Sequence, residues 1–119
     1  MITLPNGYKV DIGNDPELFY VIHEIFYKKV YGALSIRRGD VVLDCGANIG
    51  IFTLYALKSC SFVVCVEPLS HNFCVLQRNI RLNGLQEKTI MVERALYSKS
   101  GLPIQLYWTH SGTWGSLYE

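Results

Sequence analysis

The sequence lacks several features that would place it in a specialised class of protein. Its longest apolar runs, residues 49–57 and 62–66, are too short to span a bilayer. No basic stretch precedes an apolar core at the start, so no signal peptide is expected. Neither a repeat nor a low-complexity segment is visible, and 119 residues suit a single domain over residues 1–119. We therefore expect a cytoplasmic protein.

Charge and cysteine content argue against two further classes. The formal net charge is only +1, so nothing in the composition demands a polyanionic partner. There are four cysteines: Cys45, Cys60, Cys65 and Cys74. No two of them form a C-x-x-C pair, and no histidine lies at zinc-ligand spacing from any of them. We expect reduced thiols buried as small hydrophobic side chains, no metal site, and neither a nucleic acid nor a membrane as partner.

The sequence does contain alternating strand and helix signals. Residues 2–10 predict a hairpin that turns at Asn6-Gly7. A helix that begins at Asp15 is predicted to reach Val30 and to stop at Gly32. Further strands are predicted at residues 41–43, 62–66, 89–92 and 104–108, and further helices at residues 51–58 and 70–82. Residues 1–39 thus form a lead-in, and residues 40–119 form the core.

The order strand, helix, strand, helix, strand implies parallel strands joined by right-handed crossovers. We predict an α/β fold with a Rossmann-like, mostly parallel sheet and helices on both faces, preceded by the short hairpin and helix. Ligands of such sheets bind beyond the carboxyl ends of the strands. The residues that follow Leu43, Val66 and Val92 are therefore the first candidates for a functional site.

The strongest signal is the segment Asp44-Cys-Gly-Ala-Asn-Ile-Gly50, named the motif loop. Gly46 lets the chain turn sharply and bring its backbone close to a ligand, and Gly50 lets the next helix pack tightly. The amides between these glycines are predicted to be free, as at a helix start, and able to bind a carboxylate. If that carboxylate belongs to an amino-acid group of the ligand, Asp44 can face the ammonium of the same group.

A second candidate is Glu67 at the tip of the next predicted strand, where a carboxylate can accept both hydroxyls of a ribose. A dinucleotide site shares this order of elements. Its G-x-G-x-x-G fingerprint, however, requires glycines where Asn48 and Ile51 stand. Taken alone, Asp44 and Glu67 are better explained as strand-end carboxylates that cap nearby amides, whereas together, on this loop and at this spacing, they favour a cofactor role. Asn48 can also be explained as a turn residue.

Together these pieces resemble the FkbM family of class I S-adenosylmethionine (SAM)-dependent methyltransferases. The resemblance rests on the motif loop, on Val66-Glu67-Pro68 and on Asn79-Ile-Arg-Leu-Asn83-Gly84, and it continues over residues 95–101. It implies that the amino-acid end of SAM is held by Asp44, Gly46, Ala47, Asn48 and Gly50. It further implies that Glu67, followed by Pro68, holds the ribose and that Ala95 lies by the adenine.

The resemblance implies methyl transfer to an oxygen of a small molecule or glycan, with no residue assigned as catalytic. Residues 79–84 also resemble a helix of some transfer-RNA guanine methyltransferases, so an RNA methyltransferase is one alternative. The family continues with an Asp-x-Glu-Gly element that this sequence lacks, so we expect a C-terminally incomplete domain. A non-catalytic fragment that binds SAM or a partner is therefore another alternative. A second copy or another chain would then complete the sheet.

Overall fold

Strands and helices alternate along the computed structural model, which describes residues 1–101, 103, 105–108 and 115–118. The strands are β1 (Ile2–Thr3), β2 (Lys9–Val10), β3 (Val41–Cys45), β4 (Phe62–Val66), β5 (Thr89–Val92), β6 (Gln105–Trp108) and β7 (Gly115–Tyr118). The helices are α1 (Glu17–Ile22), α2 (Ile51–Ala56) and α3 (Ser70–Leu82), with a short 3₁₀ turn at Gln86–Lys88. None of the helices in these ranges is long and apolar enough to cross a membrane.

The strands β3, β4 and β5 form a parallel sheet in that order. Cys45 pairs with Val66, and Val66 pairs with Val92, so the three strands end side by side. This confirms the predicted Rossmann-like arrangement, preceded by the β1–β2 hairpin and α1. Because the carboxyl ends of the strands meet at one edge, the motif loop and Glu67 are brought together there.

The sheet is covered on one face more than on the other. α2 packs on one face, where the Thr53 hydroxyl meets both Asp44 and Cys65. On the opposite face Leu43 is 61 % exposed and Ile90 53 % exposed. Among the described residues, the helices after β3 and β4 therefore leave these apolar side chains exposed.

The first helix ends earlier than its apolar spacing predicts. α1 continues into a single π-type turn at His23–Tyr27, after which Lys29 adopts a left-handed φ of 53°. The amide of Val30 donates to the carbonyl of Glu24 and closes the helix, and Val30 itself is half exposed. Gly32 is therefore not the stop. A left-handed closing residue is usually glycine, so a lysine there gives no signal in the sequence.

Two asparagines on α3 attach the lead-in to the core. Asn83 Oδ1 accepts the amide of Lys9 at 2.8 Å, and its Nδ2 donates to the carbonyl of Lys9 at 2.7 Å. Asn79 makes the same pair of bonds with Asp11, at 2.8 and 3.2 Å. Its Nδ2 also donates to the carbonyl of Ile49 at 2.9 Å. The side chains thus pair with the β2 edge as a neighbouring strand would.

The strand predicted at residues 104–108 forms as β6, although Ile104 lies outside the described residues. β6 pairs in antiparallel fashion with β7, and Trp108 stands opposite Gly115. The two strands form a separate two-stranded sheet and do not extend the parallel one.

The cysteines divide into a buried pair and an exposed pair. Cys60 and Cys65 are buried as predicted, and burial raises the pKa of the Cys65 thiol to about 11. The prediction is wrong for Cys45 and Cys74, which are exposed. Cys45 follows Asp44 on β3 and therefore points to the opposite, uncovered face of the sheet. No group that could hold a metal ion occurs in the part of the chain that the structure describes.

Candidate functional site

The two glycines of the motif loop have different surroundings. Both have a positive φ, +78° at Gly46 and +94° at Gly50, which favours glycine over other residues. A methyl group added at Gly46 would meet no atom within 4 Å, whereas one added at Gly50 would lie 2.7 Å from Leu76 Cδ1. Gly46 therefore keeps a space open beside the backbone, and Gly50 allows α3 to pack against the start of α2.

Most amides of the motif loop are already bonded, which corrects the prediction that they are free. Gly46 and Ala47 both donate to the carbonyl of Val66, at 2.8 and 2.9 Å. The amide of Asn48 donates to Glu67 Oε2 at 2.8 Å, and that of Gly50 donates to the carbonyl of Ala47. The loop therefore presents open space beside Gly46 and the carboxylate of Asp44 more than a row of unpaired amides.

The Glu67 carboxylate connects the segments that follow β3 and β4. Its carboxylate accepts the amide of Asn48 at Oε2 and the amide of Leu69, at 2.9 Å, at Oε1. The residue is only 4 % exposed. This is the capping role left open by the sequence. A carboxylate has about four lone-pair positions, so these two bonds leave capacity for further donors.

Asp44 is buried at the tip of β3, where Thr53 of α2 donates its hydroxyl hydrogen to Oδ2 at 2.5 Å. Burial raises the pKa of Asp44 above its ordinary value. The Thr53 hydrogen bond opposes this pKa shift, and the negative charge of Glu67 adds to it. The two predicted site carboxylates are thus close enough to interact, and a nearby cation would stabilise both in ionised form.

A cavity of about 660 Å³, the large cavity, lies where the motif loop faces α1. Four predicted site residues line it: Asp44, Gly46, Ala47 and Asn48. This volume is in the range of pockets that bind small molecules. The part of the site predicted to hold an amino-acid moiety is therefore assembled around one cavity.

The other predicted site residues lie away from this cavity. Gly50 lies against Leu76 of α3, and Glu67 contacts the loop through the amide of Asn48. Pro68 and Ala95 are half-buried near the ends of β4 and β5 and do not line the large cavity. The strand tips therefore place them along the same edge of the sheet, but outside the cavity walls.

A second cavity of about 470 Å³ lies on the other side of Asn48. It is bounded by residues 11–16 of the lead-in and by the first turns of α3, including His71 and Arg78. Leu18, Asn48 and Ile49 contribute to both cavities. Asn48, with its left-handed φ of 52°, therefore forms part of the wall between them.

Several residues that line the large cavity were not singled out as site residues from the sequence. They come from α1, its π-type turn, the segment at residues 31–34 and α2, and include Glu17, Glu24, Leu34 and Phe52. Tyr31 also lines this cavity. Its ring lies 4.6 Å from that of Phe52. The apolar spacing of α1 indicated only a packing face, because the π-type turn that directs Glu24 has no sequence signature.

Comparison with known proteins supports the methyltransferase resemblance, although no family model matches the chain. The chain is 44 % identical over 82 residues to the 31-O-demethyl-FK506 methyltransferase FkbM of Streptomyces tacrolimicus, covering 66 % of this chain and 32 % of that protein. It is 41 % identical over 73 residues to the AMB antimetabolite synthetase AmbE of Pseudomonas aeruginosa, covering 58 % of this chain and 3 % of that protein.

Among solved structures, PRMT6-SAH matches with a TM-score of 0.51 and 24 % identity over 59 % of this chain and 20 % of that one. This likeness supports the fold alone. The chain spans about a third or less of the two curated relatives. Within that span, the predicted resemblance to FkbM-type, class I SAM-dependent methyltransferases is confirmed.

Proposed function

We propose that this chain forms the SAM-binding part of a methyltransferase that methylates a hydroxyl oxygen of a small molecule or glycan. The observation that carries the proposal is the convergence of Asp44, Gly46, Ala47 and Asn48 on one cavity at the tips of parallel strands. The FkbM relative supports it, because the aligned 82 residues are 44 % identical.

The residues present fit the amino-acid end of SAM. The open space beside Gly46 admits a ligand close to the backbone. Asp44 supplies a buried carboxylate on the same cavity, suited to an ammonium group. In this proposal Gly50 supports the loop from the core side, and Ala47 and Asn48 shape the cavity wall.

The residues proposed to contact the nucleoside end of SAM lie near the ends of β4 and β5, at the same edge of the sheet as the motif loop. Glu67 accepts two amides and has acceptor capacity left for the ribose hydroxyls. Pro68 follows it, and Ala95 lies three residues beyond the end of β5, on the side proposed for the adenine. SAM would thus extend along the edge of the sheet from β5 to β3.

When bound, SAM supplies a methyl group on a sulfonium: the C–S bond breaks, a C–O bond forms, and the hydroxyl proton leaves to water. The residues of the chain contribute by holding donor and acceptor in line, which alone can supply several kcal/mol of rate enhancement. We assign no catalytic base.

Calorimetric titration of SAM tests the proposal, with Glu67→Ala as the variant and Glu87→Ala as the control. Glu87 is an exposed glutamate on the 3₁₀ turn. Loss of two charge-assisted hydrogen bonds should weaken binding by about a hundredfold or more in Glu67→Ala. Glu87→Ala should bind as the unaltered chain does.

Glu67→Ala also frees two backbone amides, so circular dichroism must show that the variant is folded at the titration temperature. Saturable binding that weakens only in Glu67→Ala supports the site. A folded, unaltered chain that does not bind SAM would overturn the proposal. Binding without turnover on any acceptor would favour the non-catalytic alternative.

An RNA methyltransferase is the enzymatic alternative, and it rests on residues 79–84. Asn79 and Asn83 in that segment bond to the lead-in backbone, so their presence is explained by packing without a nucleic acid. The alternative predicts RNA binding that falls steeply with salt. Titration of transfer RNA at 50 and 200 mM salt distinguishes it from a small-molecule enzyme.

A further inference from the structure

The large cavity has a second wall that the proposed SAM contacts do not use. It is formed by α1 with its π-type turn, by residues 31–34 and by the first turn of α2. Glu24, Tyr31 and Phe52 lie on this wall. The cavity therefore extends beyond the motif loop to residues that the proposed SAM contacts do not involve.

The charges on the cavity walls are all of one sign. Glu17, Glu24 and Asp44 line the cavity, and the described lining residues include no lysine, arginine or histidine. Asp44 lies at the motif loop, whereas Glu17 and Glu24 lie on the opposite wall. Such a cavity attracts cations and repels anions, and the low dielectric of its walls strengthens both effects.

Glu24 is the carboxylate best placed to select a ligand. It is half-buried, and among the described residues no donor bonds to its carboxylate. Its backbone carbonyl, in contrast, is fixed by the amide of Val30. The side chain therefore sits on a defined backbone and retains its acceptor capacity for a ligand.

Aromatic rings complete this wall. The rings of Tyr31 and Phe52 lie 4.6 Å apart, and Tyr55 packs 5.9 Å from Phe52. Tyr31 remains 40 % exposed, so part of its surface is available for contact. Aromatic faces bind both apolar bodies and cations, and a neighbouring carboxylate adds to the attraction for a cation.

We propose that the methyl acceptor is a small molecule with an apolar or aromatic body and a positive charge, bound between the aromatic pair and Glu24. This rests on the proposed function, because SAM must occupy the motif-loop wall of the same cavity. Glu24 is then a specificity-determining residue, and polyanions are excluded by charge.

The test uses three phenols of similar body: tyramine (cationic), 4-ethylphenol (neutral) and 3-(4-hydroxyphenyl)propionate (anionic). Each is titrated by NMR into the full chain saturated with SAM. We expect tyramine to bind about tenfold more tightly than the anionic phenol, equivalent to one modest charge interaction in a partly screened site. In Glu24→Gln this difference should shrink to about twofold, whereas Glu87→Gln should keep it.

The ranking of the three phenols by the unaltered chain tests the proposal even if Glu24→Gln does not fold. Equal binding of all three phenols, a preference for the anion, or no binding of any of them would overturn it. A preference for tyramine that persists unchanged in folded Glu24→Gln would show that Glu24 does not determine this specificity. SAM binding is measured separately, so failure of the acceptor site and failure of the proposed function are distinguishable.

Discussion

The two sides of the motif loop differ in what they contact, although one short sequence forms both. On the cavity side, Gly46 is exposed and faces open space. On the core side, Gly50 is buried and lies against Leu76. The loop is thus a thin layer between a ligand cavity and the packed helices.

This difference shows that a glycine-rich signature contains two kinds of information. In the proposed function, Gly46 leaves space for a ligand outside the loop, whereas Gly50 leaves space for Leu76 on the inside. Both appear in the motif for the same backbone reason, a positive φ. Only the surroundings separate a residue near a ligand from one that supports the fold, so substitutions on the two sides should fail in different ways.

The largest effect is expected from Gly50→Ala. The new methyl group would strain a backbone at φ +94° and press on Leu76, which is fully buried and has little room to move. Strain and overpacking together should cost about 3 kcal/mol of unfolding free energy. Urea unfolding followed by circular dichroism measures this directly.

Gly46→Ala is the matched control for Gly50→Ala. It carries a similar backbone strain at φ +78° but meets no atom, so only about 1 kcal/mol should be lost. The free energy of SAM binding should fall by more than the free energy of unfolding, because the added methyl group occupies the cavity. Equal destabilisation by the two substitutions would contradict the proposed division of the loop.

A smaller effect is expected when the support behind the loop is removed. Asn79→Ala deletes the bonds to Asp11 and to the carbonyl of Ile49, and leaves these buried groups unpaired. Asn83→Ala deletes the two bonds to Lys9 and one to the carbonyl of Asn79, at a more exposed position directly after α3. We expect losses of about 2 and 1 kcal/mol of unfolding free energy, respectively.

Comparison of Asn79→Ala with Asn83→Ala also distinguishes support of the motif loop from attachment of the lead-in. Since only Asn79 touches the motif loop, only its substitution should weaken SAM binding at a temperature where both variants are folded. If both variants bound SAM equally well, the Ile49 bond would not position the loop for its ligand.

The sequence was sufficient for the elements whose strand or helix pattern is unbroken. β4, α3 and β5 have the predicted bounds, because each is a continuous pattern that ends at strong signals such as Glu67-Pro68 and Asn83-Gly84. α1 was predicted too long, since the π-type turn and the left-handed Lys29 depend on tertiary packing. Cys45 was misplaced because an apolar run does not reveal which face each residue takes.

The proximity of Asp44 and Glu67 was predictable from the sequence, but the contacts around them were not. The order of strand tips places Asp44 and Glu67 at one edge, and the structure brings them there. The bonds from Gly46 and Ala47 to the carbonyl of Val66 join segments that only the folded sheet makes adjacent. Glu24 lacked any motif, so it could be recognised only from the cavity that it lines.

The smallest expected effect concerns acidification at Asp44, on the cavity side of the loop. Its folded-state pKa is raised, mainly by burial, so the folded chain holds this proton more tightly than the unfolded chain does. The resulting stabilisation is fully present below the ordinary pKa and is lost as pH rises through the raised value. Asp44→Asn should therefore be more stable than the unaltered chain at pH 7, with the advantage declining toward pH 4.

Binding of SAM should change with pH in the opposite direction. If the ionised Asp44 holds the ammonium group, affinity should fall on acidification, by at most about tenfold per pH unit below the raised pKa. Asp44→Asn should bind weakly and with a flatter pH profile over the same range. Parallel urea unfolding and calorimetry from pH 7 to pH 4.5 measure both trends. Parallel losses of stability and affinity in the unaltered chain would mean that Asp44 serves the fold and not the ligand.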